Sequence, residues 1–218
     1  MSAPPEIRVR ATHELGATLR LAGPLIASQL FAIGMNVVDV MLAGHLGAHV
    51  LGAVAVGASV WMFPLMGIVG VMMALPPSIA QLNGAGLREE TAPLFRQAVW
   101  LALTVGVGMQ LALWWLGPLL VAATGVAPAL VQDVTSFLRA ISFGAPALAL
   151  YMACRGFSEG LSITRPTMVF GLLGLLLLGP VGYVLMYGGL GLTGLGSLGS
   201  GIATALVLWA QALGFVVY

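Results

Sequence analysis

Apolar residues run through this chain in six long blocks, separated by short stretches that carry glycine, proline and most of the charge. A helix needs roughly 20 apolar residues to cross about 30 Å of hydrocarbon. Six segments meet that length, near residues 19–44, 51–80, 94–122, 136–154, 167–187 and 195–218. Residues 1–18, with Glu6, Arg8, Arg10, His13 and Glu14, form a polar lead-in expected to lie partly helical at the membrane interface. The pattern predicts an all-α integral membrane protein with its six spans in residues 19–218.

Composition agrees with that reading. The 218 residues are 60% hydrophobic and 7% charged, and a mean hydropathy of +1.05 is beyond what a soluble domain of this length carries. The net charge of +1 gives no reason to expect a nucleic-acid partner; only the placement of charge along the chain is informative. Cys154, the single cysteine, excludes an internal disulfide. The first apolar run outlasts a signal-peptide core and is expected to stay in the protein as a span. Seven of the eight arginines fall at the N-terminus (Arg8, Arg10, Arg20), in the second connection (Arg88, Arg96) or in the fourth (Arg155, Arg165). The bias of arginine toward the cytoplasm puts the N-terminus and those connections inside. Arg139 is the exception: 16 residues before Arg155, or about 24 Å along a helix, it is expected near the outer boundary, snorkelling or paired with Asp133.

Asp39 is the candidate functional residue. The 18 residues before it and the 48 after it hold no Asp, Glu, Lys or Arg, and an ionisable group in hydrocarbon costs enough that it usually serves ion or substrate traffic. Gln29, Ala32, Asn36, Asp39 and Ala43 recur at steps of three and four, which places them on one small, polar helix face. That face implies a helix turned toward a hydrated interior, with hydrogen-bonding glue between helices as the plainer role for Gln29 and Asn36. In the sixth span Ser197, Ser200, Thr204 and Gln211 make a second stripe, whose hydroxyls could complete a network with Asp39 or bond back to their own helix. The fifth span offers a small face of Gly171, Gly174, Leu178 and Gly182, a hinge candidate in Pro180, and the hydroxyl of Tyr183 on a neighbouring face. Met35 belongs to a run of flexible thioethers in the first two spans, suited either to adaptable ligand contact or to filling space against lipid. No enzyme constellation, cofactor motif or metal cluster is present; His45 and His49 stand four apart, but Gly44 and Gly47 favour a loop there.

Four stretches together resemble one family. They are Val-Asp-Val-Met-Leu-Ala-Gly-His-Leu-Gly at 38–47, Ile-Ala-Gln-Leu-Asn-Gly-Ala-Gly-Leu-Arg-Glu-Glu at 79–90, Arg-Gly-Phe-Ser-Glu-Gly-Leu-Ser-Ile-Thr-Arg-Pro-Thr-Met at 155–168, and Gly-Ser-Gly-Ile-Ala-Thr-Ala-Leu at 199–206. In order and interval they resemble the multidrug and toxic compound extrusion (MATE) family. The resemblance implies a secondary antiporter that exports cationic or amphipathic small molecules in exchange for H⁺ or Na⁺, built from twelve helices in two six-helix lobes. The chain corresponds to the first lobe, which leaves the C-terminal lobe, or a second copy, as an implied partner within the lipid bilayer. The resemblance also implies that Asp39 binds the coupling cation, with Thr204 contributing from helix six. Gln29, Met35, Asn36, Tyr183 and Ser200 are expected to line the substrate cavity.

One departure bears on the ion. Many members carry two amides in helix five where this chain reads Leu178-Gly-Pro-Val-Gly182. A caged Na⁺ needs several oxygen ligands, whereas one buried carboxylate is enough to carry a proton, so the sequence favours H⁺. Expected localisation is the cytoplasmic membrane of a bacterial-type cell, with no cofactor beyond the coupling ion. Two alternatives stay open. A flippase for lipid-linked sugars would line its cavity with basic residues that this lobe lacks. A truncated or assembly-only fragment would fit the abrupt last stretch before Tyr218, which has no charged residue after Arg165.

Overall fold

A computed structural model describes the backbone of residues 5–123, 125–189 and 191–218, and the side chains of these except 5–21 and 192. Among the described residues the chain forms eight helices and one small hairpin. The helices are α1 (Pro5–His45), α2 (Ala48–Met72), α3 (Leu75–Gly84), α4 (Arg88–Ala123), α5 (Pro128–Ser142), α6 (Ala145–Gly160), α7 (Arg165–Tyr187) and α8 (Gly196–Val217). The hairpin pairs β1 (Gly188–Gly189) with β2 (Leu192–Thr193) in antiparallel register, Gly188 opposite Thr193.

Five of these stretches are long and apolar enough to cross a membrane, and the α5–α6 pair makes a sixth if counted as one bent span. The lead-in is not separate from the first span: α1 runs from Pro5 through Pro24 to His45 as one helix of 41 residues. Its polar side chains up to residue 21 lie outside those described. The second span divides into α2 and α3 around Met73 and Ala74, with Pro76 and Pro77 in the first turn of α3, where a missing N–H costs least.

The fourth span differs most from expectation. It begins at Pro128 rather than near residue 136, runs to Gly160, and bends by 42° between α5 and α6. Asp133 and Arg139 interrupt the apolar run there, yet Val134, Phe137, Leu138 and Ile141 keep one face of α5 buried. The bend falls at Phe143 and Gly144, before Pro146 opens α6.

Lipid tails are as apolar as leucine, so helices in a bilayer gain little by hiding apolar surface and associate through close packing instead. Small residues supply it here. Span four lies at the centre, with α4 and α2 on one side of it and α8 on the other; Ala145, Ala147, Ala149 and Ala153 of α6 are fully buried. Phe137 fits its ring against Gly57 of α2. At the far end of the bundle α1 packs chiefly on α7, and α7 in turn on α8. The Gly171, Gly174, Leu178 and Gly182 face of α7 is buried in that sandwich, as the sequence pattern predicted.

Asp133 does not pair with Arg139. His49, in the first turn of α2, brings Nε2 to 2.7 Å from Asp133 Oδ2, so the pair ties α2 to α5. His45 closes α1 with Nδ1 at 2.7 Å from the Met41 carbonyl, and among the described residues no cluster of three or more His, Cys, Asp or Glu forms a metal centre.

Candidate functional site

Three helices meet around Asp39. It sits half-buried on α1, where that helix lies over α7 and brushes α8. The Ser200 hydroxyl of α8 donates to Asp39 Oδ1 at 2.6 Å, the short distance of a bond to a carboxylate oxygen. Ser200 is fully buried, so its hydroxyl meets Asp39 inside the packed interface and does not line an open cavity. Gly199 and Gly201 flank it and allow the approach. A methyl group at Gly199 would come within 2.5 Å of the Leu185 carbonyl oxygen, and one at Gly201 within 2.7 Å of the Phe137 carbonyl oxygen. The glycines that the sequence places at the start of the last span thus seat α8 against α7 and α5.

Thr204 lies one turn beyond Ser200 on the same side of α8 and is half-buried; the hydroxyl that reaches Asp39 is that of Ser200. The rest of the α8 stripe is divided among neighbours. Ser197 Oγ lies 3.4 Å from the Asp133 carbonyl of α5, and buried Gln211 donates from Nε2 to the Phe170 carbonyl of α7 at 2.9 Å. Both hold helices together.

On α1 the stripe splits as well. Gln29 and Asn36 are exposed, and Asn36 donates to the Ala32 carbonyl of its own helix at 3.1 Å, so in this lobe neither acts as glue between helices. At 100° per residue both sit within about 80° of Asp39 around α1, on the side turned away from the contacts with α7. Met35 packs against Leu178, Ala203 and Val207 and faces Gly174; it belongs to the interior rather than to a cavity wall.

Leu178 and Gly182 of α7 complete the surroundings. Leu178 is buried, and a methyl group at Gly182 would meet Leu42 of α1 at 2.9 Å. The space that a polar side chain would need at 182 is therefore taken by α1 itself. Pro180 is exposed and α7 continues through it without a break. Tyr183 is 56% exposed and stacks on Tyr187 at 4.9 Å. Tyr187, which the sequence reading passed over, donates its hydroxyl to the Leu42 carbonyl at 2.9 Å and pins the C-terminal end of α7 to α1. Its i, i+4 spacing from Tyr183 was the available signal.

The Asp39–Ser200 contact is open to a direct check. Ser200→Ala removes the donor with almost no change in volume, and a bond to a charged group is worth roughly 1.5–3 kcal/mol. The variant should lose roughly that much stability, with the fold preserved. Thermal unfolding of the two proteins in one detergent makes the comparison, and equal midpoints would show that the bond contributes nothing to holding α8 against α1.

Helices long and apolar enough to cross a membrane, packed around a half-buried carboxylate, define a polytopic membrane protein. The profile of the MatE family matches residues 24–184, and the chain belongs to that family. It is 41% identical over 221 residues to a probable multidrug resistance protein NorM of Xanthomonas campestris pv. campestris, covering all of this chain and 48% of that one. It is 40% identical over 210 residues to the multidrug resistance protein PmpM of Pseudomonas aeruginosa, covering 96% and 44%. The chain thus spans about half the length of the curated relatives it matches. Among solved structures it superposes on the eukaryotic MATE transporter AtDTX14 with a TM-score of 0.86 at 22% identity, covering 95% of this chain and 45% of that one. A MOP superfamily transporter from Pyrococcus furiosus gives 0.84 at 22% identity, with 92% and 43% covered. At that identity the likeness speaks for the fold, a six-span lobe of a larger transporter.

Proposed function

We propose that this chain forms one half of a secondary antiporter that exports cationic or amphipathic small molecules from the cytoplasm in exchange for protons, with Asp39 carrying the coupling proton. The observation behind it is the Ser200 hydroxyl held 2.6 Å from an intramembrane carboxylate at the junction of α1, α7 and α8. The names of the relatives, multidrug resistance proteins, support the substrate class. Leu178 and Gly182 offer no oxygen, and Leu42 fills the space at Gly182, so a proton suits the site better than Na⁺. The chain works as a transporter rather than an enzyme and needs no cofactor beyond the coupling ion.

In this reading the arginine-bearing ends face the cytoplasm and the protein sits in a bacterial-type inner membrane. A second six-span half, or a second copy, closes the cleft on which Gln29 and Asn36 open. With Asp39 ionised, its charge favours a cationic substrate nearby and keeps α1 hydrated. Protonation removes the charge, and with it the cost of burying the carboxyl. α1 can then close on α7 and α8, Ser200 keeps its partner, and the site loses its hold on a cation. Thr204, a turn away, is placed to join the exchange, and Pro180 leaves α7 one backbone bond short where such a movement would need a hinge.

The test uses the functional transporter in sealed, Na⁺-free vesicles with a cationic dye as substrate. A dye gradient should drive proton movement in the opposite direction. Dye movement that requires Na⁺ and moves no protons would overturn the proton assignment; no coupled movement of either ion would overturn antiport.

A further inference from the structure

Arg139 has no role in the site just described. It lies in the last turn of α5, exposed, and among the described residues no carboxylate stands within ion-pair distance of it. Beside it opens a groove of about 470 Å³ between α5 and α8, lined by Arg139, Phe143, Leu198, Ile202, Leu206 and Trp209 among others. Apart from the guanidinium, the named side chains are apolar or aromatic.

The groove has a direction and a level. Leu198, Ile202, Leu206 and Trp209 form one stripe along α8, about 16 Å from first to last at 1.5 Å per residue. Leu198, Ile202 and Trp209 lie roughly 160–180° around α8 from Ser200, so the groove faces away from Asp39 on the outside of the lobe. Trp209 donates from Nε1 to the Phe143 carbonyl at 2.9 Å, at the break between α5 and α6. Phe143 also meets Trp114 of α4 edge to face, with centroids 5.8 Å apart. Arg139 stands one turn beyond Phe143 toward the start of α5. α5 and α8 run side by side in the same direction, with Ser197 beside Asp133 and Gly201 beside Phe137, so Arg139 stands level with Ile202 and the apolar stripe continues from there through Leu206 to Trp209, away from the start of α5. A cation nearer the start of the helix, with an apolar groove running inward from it, matches the order of groups in a phospholipid.

We infer that the groove between α5 and α8 is a binding site for an anionic phospholipid of the leaflet on the side where α5 begins. The Arg139 guanidinium donates to the lipid phosphate, and one acyl chain lies along Ile202, Leu206 and Trp209. A guanidinium presents planar paired donors that fit two phosphate oxygens at once, and the bound phosphate supplies the counter-charge that the protein does not. Phosphatidylglycerol is favoured over phosphatidylcholine, because choline brings a cation of its own next to Arg139.

Native mass spectrometry on the full chain in detergent, titrated separately with phosphatidylglycerol and phosphatidylcholine, tests this. The parent protein should hold one phosphatidylglycerol about tenfold more tightly than phosphatidylcholine, whose choline cation is repelled by Arg139. Arg139→Gln should erase the preference, and Ile202→Trp, which fills the groove, should weaken retention of both lipids. Equal preference in the parent and Arg139→Gln would overturn the proposal. So would a dimer of the chain that Ile202→Trp dissolves, since a second copy would then be the occupant. Should Arg139→Gln fail to fold, Arg139→Met decides in its place: a lost preference supports the site, and an unchanged one overturns it.

Discussion

Asp39→Asn in the functional transporter is expected to bring coupled efflux down to the level of membranes without the protein, while its amount in the membrane stays unchanged. The amide has the shape of the carboxyl and can still accept the Ser200 hydroxyl through Oδ1, so the junction of α1, α7 and α8 keeps its packing. What it loses is the ability to take up and release a proton. An uncharged side chain also costs less to hold in hydrocarbon than a carboxylate, so the variant should be at least as stable as the parent. Efflux of a cationic dye, measured alongside surface quantity and thermal unfolding, separates the two effects. Undiminished efflux would remove Asp39 from the coupling mechanism, whereas lost efflux with lost protein would point to a structural role instead.

The second large effect concerns packing. Gly106→Ala should destabilise the lobe by about 1–3 kcal/mol, the usual cost of overfilling a packed interior. Gly108→Ala, two residues along the same helix, should be neutral or slightly stabilising. A methyl group at Gly106 would stand 2.5 Å from Pro146 Cα and 3.0 Å from the Ala145 carbonyl oxygen. These are backbone atoms at the start of α6, unable to step aside as a side-chain tip would. Around Gly108 nothing lies within 4 Å, and replacing a helical glycine by alanine there gains roughly 0.5–1 kcal/mol from the stiffer backbone. Thermal unfolding of the two variants in one detergent gives the comparison. Equal midpoints would mean that the contact of α4 with α6 is looser than the structure shows.

The contrast between these two glycines also marks how far the sequence could be read. Apolar run length located the spans, because the need for about 20 apolar residues is a property of the bilayer rather than of this fold. It failed on span four. α5 leaves Arg139 exposed and pairs Asp133 with His49 while burying Val134, Phe137, Leu138 and Ile141, so a criterion based on unbroken hydrophobicity started the span late. The periodicity of those four residues would have found the helix. Asp39 was legible from its isolation, and a contact with the hydroxyls of the last span was one of the roles open to them. Which hydroxyl would reach it was not, since Ser200 and Thr204 share a helix face and the choice depends on how closely α8 approaches α1. That approach brings together residues 161 apart in the chain, while Gly199 and Gly201 seat α8 against α7 and α5. For the same reason the partner of Asp133 was misjudged: Arg139 is near in sequence, but His49 is near in space.

The reach of those contacts along the chain matters while the protein is being made. α1 emerges first, yet the helix it rests on is α7, and the hydroxyl that engages Asp39 lies 161 residues downstream. At roughly 5–20 residues per second, the ribosome needs on the order of ten to thirty seconds to deliver Ser200 after Asp39. Throughout that interval the carboxylate waits at the membrane without its native donor. An ionisable Asp39 is thus a burden on biogenesis before the lobe is assembled, and insertion of α1 depends on water, lipid headgroups or the insertion machinery sheltering it until α8 arrives.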